Sequence, residues 1–315
     1  MDFGLPNFFG FAYNEDQLKV LALLKESKEK KGTKLVLMSA PAFVVDFDYK
    51  KFVPSLKALG FDKVTELTFG AKIINTQYHK YIHEHYSKYE RNGKKTDKNF
   101  QDRFISSVCP ASVELIKNKF PQLKKYLLPF DSPMGAMSKV VRKNFPKHKI
   151  VFLAPCFAKK LEARELVDKK GKKLIEGVVT FSEMKQIIAK EKPKAENISH
   201  KFDSFYNDYT KIYPLAGGLC GTLHYQDILE KKDVVSCDGV DCIQKLFSNR
   251  SNKVFYDILF CKGGCIGGPG VATHAPLFFR KQRVLQYIKT AAKEKMDNNQ
   301  GLEKYTKGID FTKTV

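Results

Sequence analysis

Four of the seven cysteines in this 315-residue chain stand in three short segments that lie far apart in sequence. The segments are Ser106-Ser107-Val108-Cys109-Pro110, Ala154-Pro155-Cys156-Phe157-Ala158-Lys159 and Phe260-Cys261-Lys262-Gly263-Gly264-Cys265-Ile266-Gly267-Gly268-Pro269. Thiolates are the ligands of iron–sulfur clusters, and four of them close a [4Fe–4S] site. Here they come one, one and two, unlike the compact cysteine run of a ferredoxin. A fold that uses them must carry residues 109, 156, 261 and 265 to one point, so the cluster is expected between lobes. The glycines at 263 and 264 let backbone approach a bulky inorganic group. Cys109, Cys156, Cys261 and Cys265 are therefore the candidate metal ligands.

Hydropathy patterning places these segments on an α/β frame. A helix is expected over Asp16 to Lys31, with Leu18, Val20, Leu21, Leu23 and Leu24 as its apolar residues. A buried strand follows at Lys34–Met38, a helix near Tyr49–Leu59 and a second strand at Lys63–Leu67. This strand–helix–strand order argues for a parallel sheet flanked by helices. Residues 72–104 are polar, tyrosine-rich and read as helical. Pro110 suits the first turn of a helix over Ala111–Phe120, which puts Cys109 at its N-terminus, where the helix dipole favours a thiolate. A second α/β unit begins at His148. Strands are expected at Ile150–Ala154, Val178–Thr180 and Lys253–Phe260, and helices at Phe181–Ala189, Val240–Phe247 and Phe279–Met296. Ala189–Asn197 reads as a surface loop. The resulting division is a lead-in and helix over 1–33, an α/β lobe over 34–147, a second over 148–275, and a helix and tail over 276–315.

These three segments, in this order, resemble the catalytic domain of [FeFe] (iron-only) hydrogenases, from about Lys34 to about Pro276. Weaker landmarks carry the same resemblance: Ser39-Ala40-Pro41-Ala42, Leu59-Gly60-Phe61, Phe69-Gly70-Ala71, Asp131-Ser132-Pro133-Met134 and Ala216-Gly217-Gly218. The resemblance implies two α/β lobes with the cofactor between them. It implies that the four cysteines hold a [4Fe–4S] cluster and that Cys265 also bridges to a two-iron centre carrying CO, cyanide and a dithiolate amine, together the H-cluster. Lys159 would donate a hydrogen bond to a cyanide, and Ala40, Pro41, Ser132 and Pro133 would line the pocket. The implied activity is reversible reduction of protons to H2, with hydrogenase maturation enzymes supplying the cofactor. A plain four-cysteine structural cluster accounts for the cysteines but not for Lys159 or Ser132-Pro133.

The chain departs from the family pattern at informative places. Val108 occupies the position of the usual proton-transfer cysteine, and a valine carries no proton. Ala154 and Leu259 replace methionines, and residues 72–81 contain no acid where a glutamate relay is expected. Cys220, beside Gly217-Gly218, is the candidate substitute, since a thiol titrates near roughly 8.5; a small packed residue is the other reading. Cys237 and Cys242 read as packing. Glu162, one turn past Lys159, pairs either with that lysine inside or on a helix surface. His79 and His83 share a helix face but lack a third zinc ligand.

No cysteine precedes Cys109, so electrons are expected directly from an external ferredoxin. The net charge is +21, with clusters at Lys28, Lys30 and Lys31, at Lys94-Lys95 and around Gly171. These are either solvated loops or a docking face for that acidic carrier. No nucleic-acid motif, secretion signal or membrane-length apolar run occurs, so the expected location is the cytoplasm, where free or metal-bound thiols persist. Two other functions share this frame: a hydrogen or redox sensor with the same cofactor, and a [4Fe–4S] carrier or assembly factor without the two-iron centre.

Overall fold

The computed structural model describes residues 12–29, 33–91, 103–249, 251, 253–293 and 301–313. Lys30, Lys31 and Lys94-Lys95 lie outside them, as do the lead-in before residue 12 and the expected C-terminal helix beyond residue 293. Two parallel sheets organise the chain. The first has strand order β2-β1-β4-β5, with β1 at Lys34–Ser39, β2 at Lys63–Glu66, β4 at His148–Ala154 and β5 at Gly177–Thr180. The second has order β3-β7-β6, with β3 at Phe104–Ile105, β6 at Val234–Asp238 and β7 at Phe255–Leu259. Every strand pair is parallel. The α/β class with helix-flanked parallel sheets is thus the architecture observed.

The expected boundary at residue 148 does not divide the sheets. The first sheet pairs β1 with β4, and the second pairs β3 with β7. A parallel strand needs a crossover before its partner, so long-range pairing interleaves the two halves of the chain. Central strands β1 and β4 read as continuous apolar runs because both faces are covered. Leu35, Val36, Leu37 and Met38 have no exposure at all. Each such side chain contributes about 1.5–3 kcal/mol over an exposed one.

Ten helices are described, α1 Glu15–Glu29, α2 Tyr49–Leu59, α3 Thr68–Arg91, α4 Pro110–Lys119, α5 Pro133–Asn144, α6 Ala158–Glu165, α7 Phe181–Glu191, α8 Val240–Ser248, α9 Leu277–Lys293 and α10 Leu302–Thr306. Their starts follow local chemistry. Asp48 accepts from the amides of Lys50 (2.8 Å) and Lys51 (3.1 Å) to cap α2, and Thr180 with Glu183 forms a capping box on α7. Helix α6 and strands β3 and β6 are short and carry little periodicity of their own, whereas α5 runs for 12 residues and is an element the sequence reading does not include. No described helix is long and apolar enough to cross a membrane.

Cys237 and Cys242 are disulfide-bonded, with Cα atoms 6.0 Å apart, which corrects their reading as packed thiols. The physical reason is the turn between them. Gly239, at φ +88°, folds the exit of β6 straight into α8, so the first helical turn lies against the strand end.

Candidate metal centre

Because all strands in each sheet run one way, their carboxyl ends share an edge. In an open α/β sheet that edge is where sites form. In the first sheet, Ser39 lies beside Leu153, so Ala40-Pro41 leaves the sheet next to Ala154-Pro155-Cys156. In the second, β3 runs through Ser106 to Cys109, and β7 runs through Phe260 into Cys261. The Cys109, Cys156 and Cys265 segments line one cavity with Ala40, Pro41, Val108, Pro133, Lys159 and Tyr213. Cys261 stands within electrostatic reach of Cys109 and Cys156. The fold therefore brings together the four candidate ligands, Lys159 and three of the four expected pocket residues. Ser132 is the fourth, and it touches Lys159.

Backbone contacts hold the segments at this distance. The Cys265 amide donates to the Pro214 carbonyl at 2.8 Å, and the Gly270 amide to the Pro155 carbonyl at 2.8 Å. Gly264 adopts φ +77°, and a Cβ there would stand 2.5 Å from the Pro214 carbonyl oxygen. A Cβ on Gly268 would stand 2.4 Å from the Pro155 carbonyl oxygen, just before Cys156. Any side chain at either position would push the third cysteine segment away from its neighbours.

The donor set is buried and crowded. Burial pushes the Cys261 thiol up to about 12, helped by Cys109 and Cys156. Burial likewise raises Cys265 and Cys156, although Lys159 opposes it at both. Thiols so placed ionise together only against compensating positive charge, which iron supplies. Among the described residues, no three His, Cys, Asp or Glu side chains stand close enough to hold a single metal ion. A four-iron cube is larger than one ion, so its thiolates spread further. The histidines of α3 play no part: His79 pairs with Asp227 at 3.1 Å and His85 contacts the Tyr81 carbonyl at 2.8 Å.

Lys159 is buried, and its Nζ lies 2.6 Å from Glu162 Oε2 and 3.2 Å from Ser132 Oγ. Ser132 also caps α5 through the Gly135 amide. Of the two readings of Glu162, the inward pair is the one observed, with both side chains buried. Burial alone would pull the Lys159 ammonium down, but Glu162, Cys156 and Cys109 turn the net shift upward, so it stays charged.

Cys220 is not among the residues that line the cavity. Its amide donates to Asp257 Oδ2 at 3.3 Å, and burial and that neighbouring carboxylate push its thiol far above the ordinary range, so it keeps its proton. Sequence reasoning missed Asp257 and Tyr213. A charge inside the apolar run Phe255-Tyr256-Asp257-Ile258-Leu259 was the available signal for the first. A second buried ion pair, Lys211 with Glu66 at 2.5 Å, stands apart from the cavity beside Tyr287.

A cavity lined by Cys109, Cys156 and Cys265, with Cys261 in electrostatic reach, at the carboxyl ends of two parallel sheets defines an α/β protein built around a cysteine-lined centre. The model of the iron only hydrogenase large subunit, C-terminal domain, matches residues 33–269, and the chain belongs to that family. It is 24% identical over 268 residues to Iron hydrogenase 1 of Clostridium pasteurianum, covering 70% of this chain and 45% of that protein. It is 25% identical over 273 residues to the NADP-reducing hydrogenase subunit HndD of Solidesulfovibrio fructosivorans, covering 71% and 46%. The chain thus spans less than half the length of these relatives. Among solved structures, a variant of [FeFe]-hydrogenase HydA1 from Chlamydomonas reinhardtii has TM-score 0.64 at 16% identity, covering 91% of this chain and 92% of that one. HydA(deltaEFG), from a description of stepwise H-cluster assembly, has TM-score 0.66 at 15% identity, covering 93% and 95%. The fold is that of these hydrogenases.

Proposed function

We propose that this chain is an [FeFe]-hydrogenase that interconverts protons and electrons with H2, working mainly towards H2 evolution. Cys109, Cys156, Cys261 and Cys265 would hold a [4Fe–4S] cluster, with Cys265 bridging to a two-iron centre that carries CO, cyanide and a dithiolate amine. The bound H-cluster would supply the redox chemistry. The chain's own residues bind, orient and protect. The four thiols hold the cluster. Lys159 holds a charged donor for a cyanide, kept in place by Glu162 and Ser132. Ala40, Pro41 and Pro133 shape an apolar wall that excludes water.

The observation that carries this reading is the buried Lys159 ammonium aimed at the cavity that the thiols line. A structural cluster needs no buried ammonium beside its thiols, and Glu162 and Ser132 hold this one at the cavity wall. Maturation enzymes would install the two-iron centre. An external ferredoxin in the cytoplasm, at roughly −400 mV, would supply electrons. The test is infrared spectroscopy of protein matured with hydrogenase maturation enzymes. CO and cyanide bands with dye-driven H2 evolution are expected. Four bound irons without those bands would leave a [4Fe–4S] carrier or assembly factor.

Val108 favours a second reading. It is 6% exposed in the cavity wall and supplies no proton. A sensor with the same cofactor would show the bands but negligible turnover.

A further inference from the structure

The Cys237–Cys242 bridge does not line the cavity, yet it is tied to the loop that carries two of the four candidate ligands. Strand β6 runs beside β7, with Cys237 opposite Ile258 and Asp238 opposite Leu259, two residues before Cys261. Past the strand, the Gly239 amide donates to the Leu259 carbonyl at 3.0 Å. The Asp238 carboxylate accepts from the amide of Gly263, midway between Cys261 and Cys265. Gly239 packs against Lys262, where a Cβ on the glycine would stand 3.7 Å from that lysine's Cβ. The disulfide closes the turn that makes all these contacts. Its two sulfurs differ in access. Cys237 is 3% exposed, in the small core that Val113 of α4 shares with Ile243 of α8. Cys242 is exposed, in the first turn of α8. The bridged residues are only 5 apart in sequence, so chain entropy holds the bond less firmly than it would a long loop. Bridges with an accessible side are the readily exchanged kind.

Resting on the reading of Cys261 and Cys265 as cluster ligands, we infer that Cys237 and Cys242 form a thiol–disulfide exchange site whose redox state sets how firmly the ligand loop is held. The co-substrate is a dithiol. One of its thiolates attacks the exposed Cys242 sulfur. The S–S bond breaks, and the Cys237 sulfur leaves with the electron pair and takes up a proton. The second thiol of the reductant then attacks the reductant's own sulfur in the mixed disulfide. The Cys242 sulfur leaves with that electron pair and takes up the second proton. The dithiol ends as a disulfide, having given up two electrons and two protons. With the bridge closed, the turn presents Asp238 to the Gly263 amide. With it open, the turn at Gly239 is released, and Asp238 holds Gly263 less firmly.

The full chain without iron is equilibrated anaerobically in mixtures of reduced and oxidised dithiothreitol, then alkylated and read by peptide mass spectrometry. Cys237 and Cys242 are expected to convert together, carrying two alkyl groups or none. Alkylation of both at every ratio, or pairing of either with another cysteine, would overturn the site. Amide hydrogen exchange then reads the loop. On reduction the Gly263 amide is expected to exchange about tenfold faster, the loss of one hydrogen bond to a charged group. The double variant Cys237→Ala, Cys242→Ala should exchange at the reduced rate in both buffers, and so should Asp238→Ala. A wild-type rate that ignores reduction would overturn the coupling, and so would a redox response that persists in the double variant, since it would belong to the other cysteines. In iron-loaded protein, release of iron to a ferrous chelator should quicken on reduction, and equal rates would overturn control of the site. Protein that binds no iron would remove the cluster reading, and the exchange rates alone would then judge the bridge.

Discussion

Replacing Lys159 with methionine tests whether the ammonium serves the cofactor or only its neighbour. Lys159 and Glu162 are both buried and 2.6 Å apart. At that distance the Coulomb attraction is about 6 kcal/mol at an effective dielectric of roughly 20. Most of it offsets the cost of desolvating the two charges. Lys159→Met alone leaves the Glu162 carboxylate buried without its cation, which costs about 3–5 kcal/mol. For 315 residues, unfolding entropy near 2.1 cal/mol/K per residue converts this to a melting shift of about 5–8 °C. The double variant Lys159→Met, Glu162→Leu removes both charges and should recover most of that loss. Stability and cofactor retention then separate. Both variants should lack CO and cyanide bands after maturation, although the double variant melts near wild type. Anaerobic melting of the unmatured proteins and infrared spectra of the matured ones measure the two effects. Bands of wild-type intensity in the double variant would refute the assignment of Lys159 to the cofactor. A single variant as stable as wild type would refute the buried-pair energetics.

Cys109→Ala, Cys156→Ala and Cys261→Ala should each abolish the roughly four irons bound by anaerobically reconstituted wild type, measured by iron analysis; full iron in all three ends the cluster reading. Ferredoxin-driven turnover should fall steeply with salt and dye-driven turnover much less, because exposed charges are screened beyond about 8 Å at physiological ionic strength. Equal dependence would assign the lysines to solvation alone. Asp257→Asn should change the pH dependence of folding. The Asp257 carboxyl is raised from 3.8 to about 6 by burial, so the folded state holds a proton that the unfolded state has lost. Stability from this group is present below about pH 4 and lost as pH rises through 6, by roughly 3 kcal/mol. Denaturant titrations should therefore show the variant gaining on wild type between pH 4 and 7, and a constant difference would exclude the raised carboxyl.

The local order of elements was legible from residues alone where a segment carries its own signal. The apolar run of β1, the Asp48-capped helix α2 and the proline-led helix α4 specify themselves through propensity and capping, which act over a few residues. The family was legible too, because the three cysteine segments keep their residue types and order. What the sequence could not state is which strands pair. Parallel neighbours such as β1 and β4 are more than a hundred residues apart, and their pairing is settled by burial on both faces. That pairing places Ala40-Pro41 beside Cys156 and interleaves halves that patterning had divided at residue 148. The Cys237–Cys242 bridge depended on the Gly239 turn, and Asp257 gained its surroundings only when Cys220 and Ser236 packed against β7. Capping, propensity and residue type are local quantities and reside in the chain. Distance, burial and electrostatic neighbourhood arise only when the two sheets bring their carboxyl edges together.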